Sequence, residues 1–235
     1  MANDPLGTGS DSASGGQPSR EEIPAPAVRR LCLYLRELES LLARERPTVS
    51  SKELGQTLGY TDAQVRKDLA YFGHFGQPGI GYRVEELITR IRSILGTDKT
   101  WNVVLVGAGN LGQALATYRG FFKKGFRIVG VFDNSPEKVG QRIGEPPGLE
   151  ILPMERLGEV VASERVRMGI MTVPADVAQD VARSLLSAGV KGILNFAPAS
   201  LSVPERVPMA SVELSVHLEQ LAFQIRARDK QVSAT

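Results

Sequence analysis

The residues with the clearest chemical purpose in this chain are three glycines, Gly107, Gly109 and Gly112, in the run WNVVLVGAGNLGQALA from Trp101 to Ala116. A short apolar stretch, Val103 to Val106, leads into them and a helix-forming segment follows, the context in which the G-x-G-x-x-G pattern binds a dinucleotide. The following helix would turn its N-terminal amides and dipole toward a pyrophosphate, so Gly107, Ala108, Gly109, Asn110, Leu111 and Gly112 form the expected cradle. Phe126 to Phe132 reads as the next strand and ends in Asp133, about 20 residues past the last glycine, where an acid holds ribose hydroxyls. A carboxylate there, with no neighbouring arginine, predicts NAD(H) over NADP(H). Lys138 is the nearby base that an extra phosphate could recruit.

These residues need a sheet to hold them, and the second half of the chain alternates strands with helices. Gly144 to Gly148 is a proline–glycine loop, Met154 to Val161 a short helix, and Met168 to Val173 a buried strand ending in Thr172-Val173-Pro174. Ala175 to Ala188 is a helix, and Gly192 to Leu194 a strand entering Asn195-Phe196-Ala197-Pro198. Ligands of an open α/β sheet sit beyond the carboxyl ends of its strands. Thr172, Val173, Pro174, Asn195, Phe196, Ala197 and Pro198 share that edge with the glycine loop and become candidates for the ribose and nicotinamide end. Core packing is the competing reading of Phe196.

Composition narrows the class. With 235 residues there is room for one large or two small domains, and 42% hydrophobic with 23% charged residues is ordinary for a soluble globular protein. No apolar run reaches the roughly 18 residues of a membrane span, and no signal-peptide core opens the chain. The single cysteine, Cys32, excludes an internal disulfide framework and fits a reducing cytoplasm. A net charge of +2 says little about nucleic acid, so any basic patch has to be local. A dehydrogenase needs a group to move the substrate proton. The two histidines, His74 and His217, are not placed for that task or for a metal, and Lys191 and Tyr118 are what remain.

The first part of the chain has a different character. Met1 to about Pro26 is rich in Gly, Ser, Pro and Asp and reads as a disordered tail. From Ala27 to Ala43 the pattern is helical, with Val28, Leu31, Cys32, Leu35, Leu38 and Leu42 on one face, which makes Cys32 a buried structural thiol. Arg36 lies off that face, and Pro47 stops the helix. Ser50-Ser51-Lys52-Glu53 and Thr61-Asp62-Ala63-Gln64 are two capping boxes, each opening a short helix, with Gly59 in the turn between. Two short capped helices around a tight glycine turn are the signature of a helix-turn-helix. In the second helix Val65, Leu69 and Phe72 point to the core, while Ala63, Gln64, Lys67, Ala70 and Tyr71 point away. Small residues there allow close approach to a groove, and Lys67 and Gln64 can donate to bases and phosphates. Arg66 sits at the flank, facing a phosphate. Gly73 to Tyr82 fits a slim glycine-rich hairpin, which makes the whole a winged helix. The expected DNA contacts are Ser50, Ser51, Gln64, Arg66, Lys67 and Tyr71, with Gln77 and Gly79 in the wing. Val84, Leu87, Ile88, Ile91, Ile94 and Leu95 build a closing helix ended by Gly96.

The run GQTLGYTDAQVRKDLAYFGHFGQPGIGY, the glycine fingerprint and the later KGILNFAP closely resemble the Rex family of redox-sensing transcriptional repressors, from about Ala27 to Ala227. The resemblance implies a homodimer that binds double-stranded operator DNA, senses the NADH/NAD ratio, and is released from DNA by NADH, with NAD competing. It also implies a switch of Arg36, Tyr118 and Glu213, where an aspartate is usual at the last position and glutamate is one methylene longer. The terminal helix, Val212 to Arg228, carries Leu214, Leu218, Leu221 and Ile225 on one face and Val212, Val216 and Phe223 on the other. A helix wet on one side needs one stripe; two suggest clamping between bodies, and the resemblance implies exchange of this helix between subunits. His217 reads as structural or interfacial.

The expected architecture is therefore α/β: an N-terminal winged helix-turn-helix domain, a Rossmann-like doubly wound parallel sheet domain and a C-terminal exchanged helix. The boundaries are a tail 1–26, the winged helix 27–99, the NAD(H)-binding domain 100–210, the exchanged helix 211–229 and a tail 230–235. The expected function is an NADH-responsive repressor in the cytoplasm, without metal, membrane or catalysis. The alternatives are an NAD-dependent oxidoreductase with an accessory nucleic-acid-binding domain, and a DNA-binding module that uses its Rossmann domain only to dimerise.

Overall fold

The computed structural model describes residues 23–73, 76 and 80–232, and the chain divides into two compact units at Asp98/Lys99. The segment before residue 23, His74, Gln77, Gly79 and the residues after 232 lie outside the described residues.

In the first unit, α1 (Ala25–Ala43) buries Ala27, Leu31, Tyr34, Leu35, Leu38 and Leu41. This is a correction to the expected face. Val28, Cys32 and Leu42 are exposed, because Tyr34 is fully buried and draws the helix round onto the 27–31–34–38–41 line. β1 (Thr48–Val49) precedes α2 (Ser51–Leu58) and α3 (Asp62–Ala70). Ser50 Oγ accepts from Glu53 N at 3.0 Å and Thr61 Oγ1 from Gln64 N at 3.1 Å, so both N-caps form. The Glu53 carboxylate pairs with Arg46 at 2.9 Å instead of returning to Ser50. The turn between the helices is tight. Gly59 takes φ 75°, and a Cβ on Gly55 would lie 2.5 Å from Tyr60 O.

β2 (Tyr82–Arg83) pairs antiparallel with β1, and α4 (Val84–Leu95) closes the unit before Gly96 at φ 71°. Most of the tip of the expected hairpin, 73–82, lies outside the described residues; its last residue, Tyr82, pairs across the helix-turn-helix with Val49. A Cβ on Gly81 would meet Val49 O at 2.5 Å, which is why glycine stands there.

The second unit runs β3 (Trp101–Val106), α5 (Asn110–Ala116), α6 (Arg119–Lys123), β4 (Phe126–Phe132), β5 (Arg142–Ile143), β6 (Leu149–Leu152), a 3-10 turn at Met154–Arg156, α7 (Leu157–Ser163), β7 (Met168–Met171), α8 (Ala175–Ser187), β8 (Gly192–Asn195), β9 (Met209–Ser211) and α9 (Leu214–Val232). Its sheet has the order β5-β6-β4-β3-β7-β8-β9, parallel except for the edge pair β5–β6. The six parallel strands thus form a doubly wound Rossmann sheet. Val104, Val106, Phe132 and Met171 pack under α7 and α8 on one face. Val103, Leu105, Val131 and Ile170 line the other, with Leu115 and Phe121 against them.

The strands β5, β6 and β9 are short and the sequence pattern does not predict them. Val212 lies before α9, its N–H donating to Asn195 O at 2.8 Å, so it is not part of that helix's second stripe. Leu214, Val216, Leu218, Leu221, Phe223 and Ile225 of α9 are all exposed in the single chain. Its apolar side chains do not enter the chain's own core.

Candidate cofactor and nucleic-acid sites

The chain leaves β3 to form β4 and β6 on one side, then crosses to β7, β8 and β9 on the other. The strand order reverses between β3 and β7, and the crevice beyond their carboxyl ends is where open α/β sheets bind ligands. The glycine loop follows β3 and Thr172–Pro174 follows β7, and the two touch. Thr172 Oγ1 donates to Gly107 O at 2.7 Å.

The three glycines have separable duties. Gly107 takes φ 100°, and a Cβ there would lie 2.6 Å from Thr172 O. On Gly112 a Cβ would fall 1.8 Å from Gly107 O, so only hydrogen lets the helix sit against the turn. Gly109 has nothing within 4 Å of a Cβ: the space over the loop is open. A turn glycine, a packing glycine and one facing open space are what a pyrophosphate cradle requires. The residues present therefore fit a dinucleotide.

Asp133 sits under this loop. Its Oδ2 accepts from Ala108 N at 2.7 Å and Lys138 Nζ at 3.1 Å, and its Oδ1 from Ser135 N at 2.8 Å. Burial alone would raise this carboxyl; the two backbone amides and the lysine outweigh it and hold it below its usual range. The acid thus ties the loop after β4 to the glycine turn, leaving Oδ1 with room for a further donor. Asn195 is fully buried. Its Oδ1 accepts from Ala197 N at 2.9 Å, and its Nδ2 donates to Ala197 O at 3.2 Å and Ser211 Oγ at 3.4 Å, so its side chain shapes the loop. Phe196 packs against the sheet, and its N–H donates to Met171 O at 2.9 Å, which keeps Asn195–Pro198 at the same edge as Thr172–Pro174. Val173 packs on the core while Pro174 caps α8.

In the first unit Ala63, Arg66, Lys67 and Ala70 are exposed along α3 while Val65 and Leu69 are buried. Tyr71 is partly buried against Phe72, with ring centroids 6.4 Å apart. Arg66 Nη1 reaches Asp62 at 2.7 Å and Ser51 Oγ at 3.3 Å, so it bridges the two helices at their exposed ends. Ser50, read as a contact, spends its hydroxyl on the α2 cap. Gln64 faces partly inward, which the helical face had not shown. Its Nε2 donates to Asp68 Oδ1 at 2.8 Å.

Asp68 is the residue the sequence reading missed. It is fully buried, and it takes Arg30 Nε at 2.5 Å, Arg30 Nη2 at 2.7 Å and the Tyr34 hydroxyl at 2.8 Å. Burial would raise its pKa; the hydrogen bonds of Arg30, Tyr34 and Gln64 prevail and lower it. The signal was available: Asp68 stands inside the Val65–Leu69–Phe72 stripe, and Arg30 and Tyr34 share a face of α1 at i, i+4. Arg36, Tyr118 and Glu213 are exposed, Tyr118 with its ring edge-on to Phe121 at 5.2 Å.

Comparison with known proteins finds matches along both parts of the chain. Residues 98–199 match a family model described as "CoA binding domain", and residues 22–70 one described as "Putative DNA-binding protein N-terminus". The chain is 55% identical to the redox-sensing transcriptional repressor Rex of Carboxydothermus hydrogenoformans, over 87% of this chain and 97% of that one. It is 44% identical to the redox-sensing transcriptional repressor Rex 1 of Thermotoga maritima, over 89% and 99%. The crystal structure of RSP in complex with β-NAD+ and operator DNA superposes with a TM-score of 0.83 at 40% identity, covering 91% of this chain and 98% of that one. The complex of RSP with β-NADH gives 0.81 at 37% identity, covering 91% and 99%.

Proposed function

The chain belongs to the Rex family of redox-sensing transcriptional repressors, and on that premise we propose that it represses transcription as a homodimer that holds operator DNA and releases it when NADH is bound. One observation carries the reading. Over 91% of the chain the fold matches a protein crystallised with NAD+ and operator DNA together, and this chain has at Gly109 the open cradle a dinucleotide needs.

In this reading residues 27–99 are the DNA-binding domain, 100–210 the NAD(H)-binding domain and 211–229 the segment that carries the exchanged helix α9. Ala108, Asn110 and Leu111 flank the open loop, Asp133 accepts from a ribose hydroxyl through a lone pair of Oδ1, and Thr172–Pro174 with Asn195–Pro198 border the nicotinamide end. Bound NADH supplies a redox-dependent ring that the protein reads without consuming it, so the chain is a sensor and not an enzyme. On the DNA side Lys67 and Arg66 meet phosphates or base edges, with Ser51 and Tyr71 on the same two helices, and Gln77 and Gly79 are the contacts expected of the wing. Arg36, Tyr118 and Glu213 relay the cofactor state to these helices. Half-site spacing makes a dimer's DNA affinity sensitive to small rotations.

The homodimer is supported by the bare apolar side chains of α9 and by a cavity of about 390 Å³ on the open side of the sheet, lined by Val103, Ile128, Ile170, Leu194 and Met209. The site of action is the cytoplasm, and no metal takes part. Titrating NADH into the operator complex is expected to free the DNA, with NADPH much weaker. Equal potency would remove the case for Asp133, and sustained NADH oxidation with a small carbonyl compound would favour an oxidoreductase instead.

A further inference from the structure

The Asp68 carboxylate has no acceptor capacity left. A carboxylate offers about four lone-pair positions, and here Arg30 Nε, Arg30 Nη2, the Tyr34 hydroxyl and Gln64 Nε2 take them. Asp68 is fully buried, so it does not reach a ligand itself. Its effect is exerted through Gln64. A carboxylate only accepts, so the end of the Gln64 amide that faces it has to be the NH2 group. That leaves the carbonyl oxygen, Oε1, as the end directed elsewhere.

Gln64 stands in the first turn of α3, three residues after the Thr61 cap. In a helix-turn-helix this turn meets the base edges of the major groove. An unrestrained glutamine reads adenine with both ends at once, Nε2 donating to N7 and Oε1 accepting from N6. The geometry points to a different use here: Asp68 is a positioning residue that makes Gln64 an acceptor-only reader, directed at an exocyclic amine, adenine N6 or cytosine N4. This rests on the reading of α3 as the recognition helix. Arg30 and Tyr34 belong to α1, so the orientation of a base-reading amide on α3 is set from a second helix. Tyr60, in the turn between α2 and α3, supports the pair from the side. Its ring meets Tyr34 edge-on at 6.2 Å, and the Arg30 guanidinium lies 5.9 Å from its centroid.

The test is base preference, which a purely structural role would leave alone. Full-length protein is offered randomised operator DNA without NADH, and the preferred base at each position is compared between variants. In Asp68→Asn the carbonyl stays with Arg30 Nε and Tyr34 and the amide nitrogen, giving up the Arg30 Nη2 bond, turns to Gln64, which reverses the Gln64 amide and presents Nε2 outward. Preference at a single position is expected to move from adenine or cytosine to a base offering acceptors, guanine or thymine, by about tenfold. Gln64→Met should erase preference at that same position and leave the others. Both variants should keep wild-type NADH affinity, which reports on the second unit.

Equal loss of affinity for all sequences in both variants overturns the proposal. If Asp68→Asn does not fold, Gln64→Met decides alone: unaltered preference at all positions overturns it. Lys67→Ala separates this from failure of the underlying reading. If that variant binds operator as wild type does, α3 is not the recognition helix; if it binds weakly while the base preferences stay unmoved, only the role of Asp68 and Gln64 is lost.

Discussion

Asp68 and Asp133 are both held below the ordinary carboxylate range, and the partners that do it are of opposite kinds. Asp68 is gripped by side chains from α1, 34 and 38 residues away, plus Gln64 one turn back. Asp133 is gripped mainly by backbone amides, Ala108 and Ser135, in the loops it joins. The first arrangement is closed, with all acceptor positions used. The second is open, with one oxygen carrying a single donor. A saturated carboxylate can only fix the geometry around it, whereas one anchored by backbone and left short of donors is prepared for a ligand. On the proposed function, the two units of this chain use the same functional group for these two purposes.

Removing Asp68 should therefore harm the fold most. Asp68→Ala leaves the Arg30 guanidinium and Tyr34 hydroxyl without their acceptor, and breaking such a buried pair costs about 3 kcal/mol. Thermal unfolding of the first unit should register it, with NADH affinity unchanged. Asp133→Ala should reverse the balance. Loss of its hydrogen bonds is expected to take about 1–2 kcal/mol from stability, but NADH affinity should fall roughly tenfold by calorimetry, with the NADH/NADPH ratio narrowing by a similar factor. Should Asp68→Ala weaken NADH more than Asp133→Ala does, the contrast between the closed and open carboxylates fails.

Acid pH probes both at once. A depressed carboxyl contributes stability that is present above the unfolded value, near pH 3.9 for aspartate, and is lost as pH falls through the lower folded value. Denaturant unfolding should show wild-type stability level from neutral pH down to about 5 and falling below about 4. Asp68→Asn should flatten that acid limb for the first unit alone. The smallest effect belongs to Lys138→Met. Its ammonium is partly exposed, so stability should move by under about 1 kcal/mol. Freed of its counter-charge, Asp133 should then discriminate more sharply against the 2′-phosphate of NADPH, measured as a larger affinity ratio.

Much of this was legible in the chain. Short-range rules placed both N-caps, the αL glycines after α2 and α4, and the strand Phe126–Phe132 ending at Asp133, because each depends on neighbours a few residues apart. The glycine turn was legible for the same reason. What failed was long-range. Cys32 counted as apolar, but the buried line of α1 is set by Tyr34, whose hydroxyl finds Asp68 on another helix. Gln64 looked outward until Asp68 was seen to claim its amide. Strands β5, β6 and β9 are too short to show alternation and exist through the strands beside them. β2 pairs with β1, which lies before the helix-turn-helix, a connection no local turn signal reports.

Helix α9 carries leucine, isoleucine, valine and phenylalanine open to water in the single chain. A segment of that kind is hidden only by another surface, and a folded state that depends on association is governed by mass action. For such a protein dilution acts as a mild denaturant. Its melting temperature should climb with its own concentration, so the amount of repressor a cell makes would also set how firmly each copy is folded.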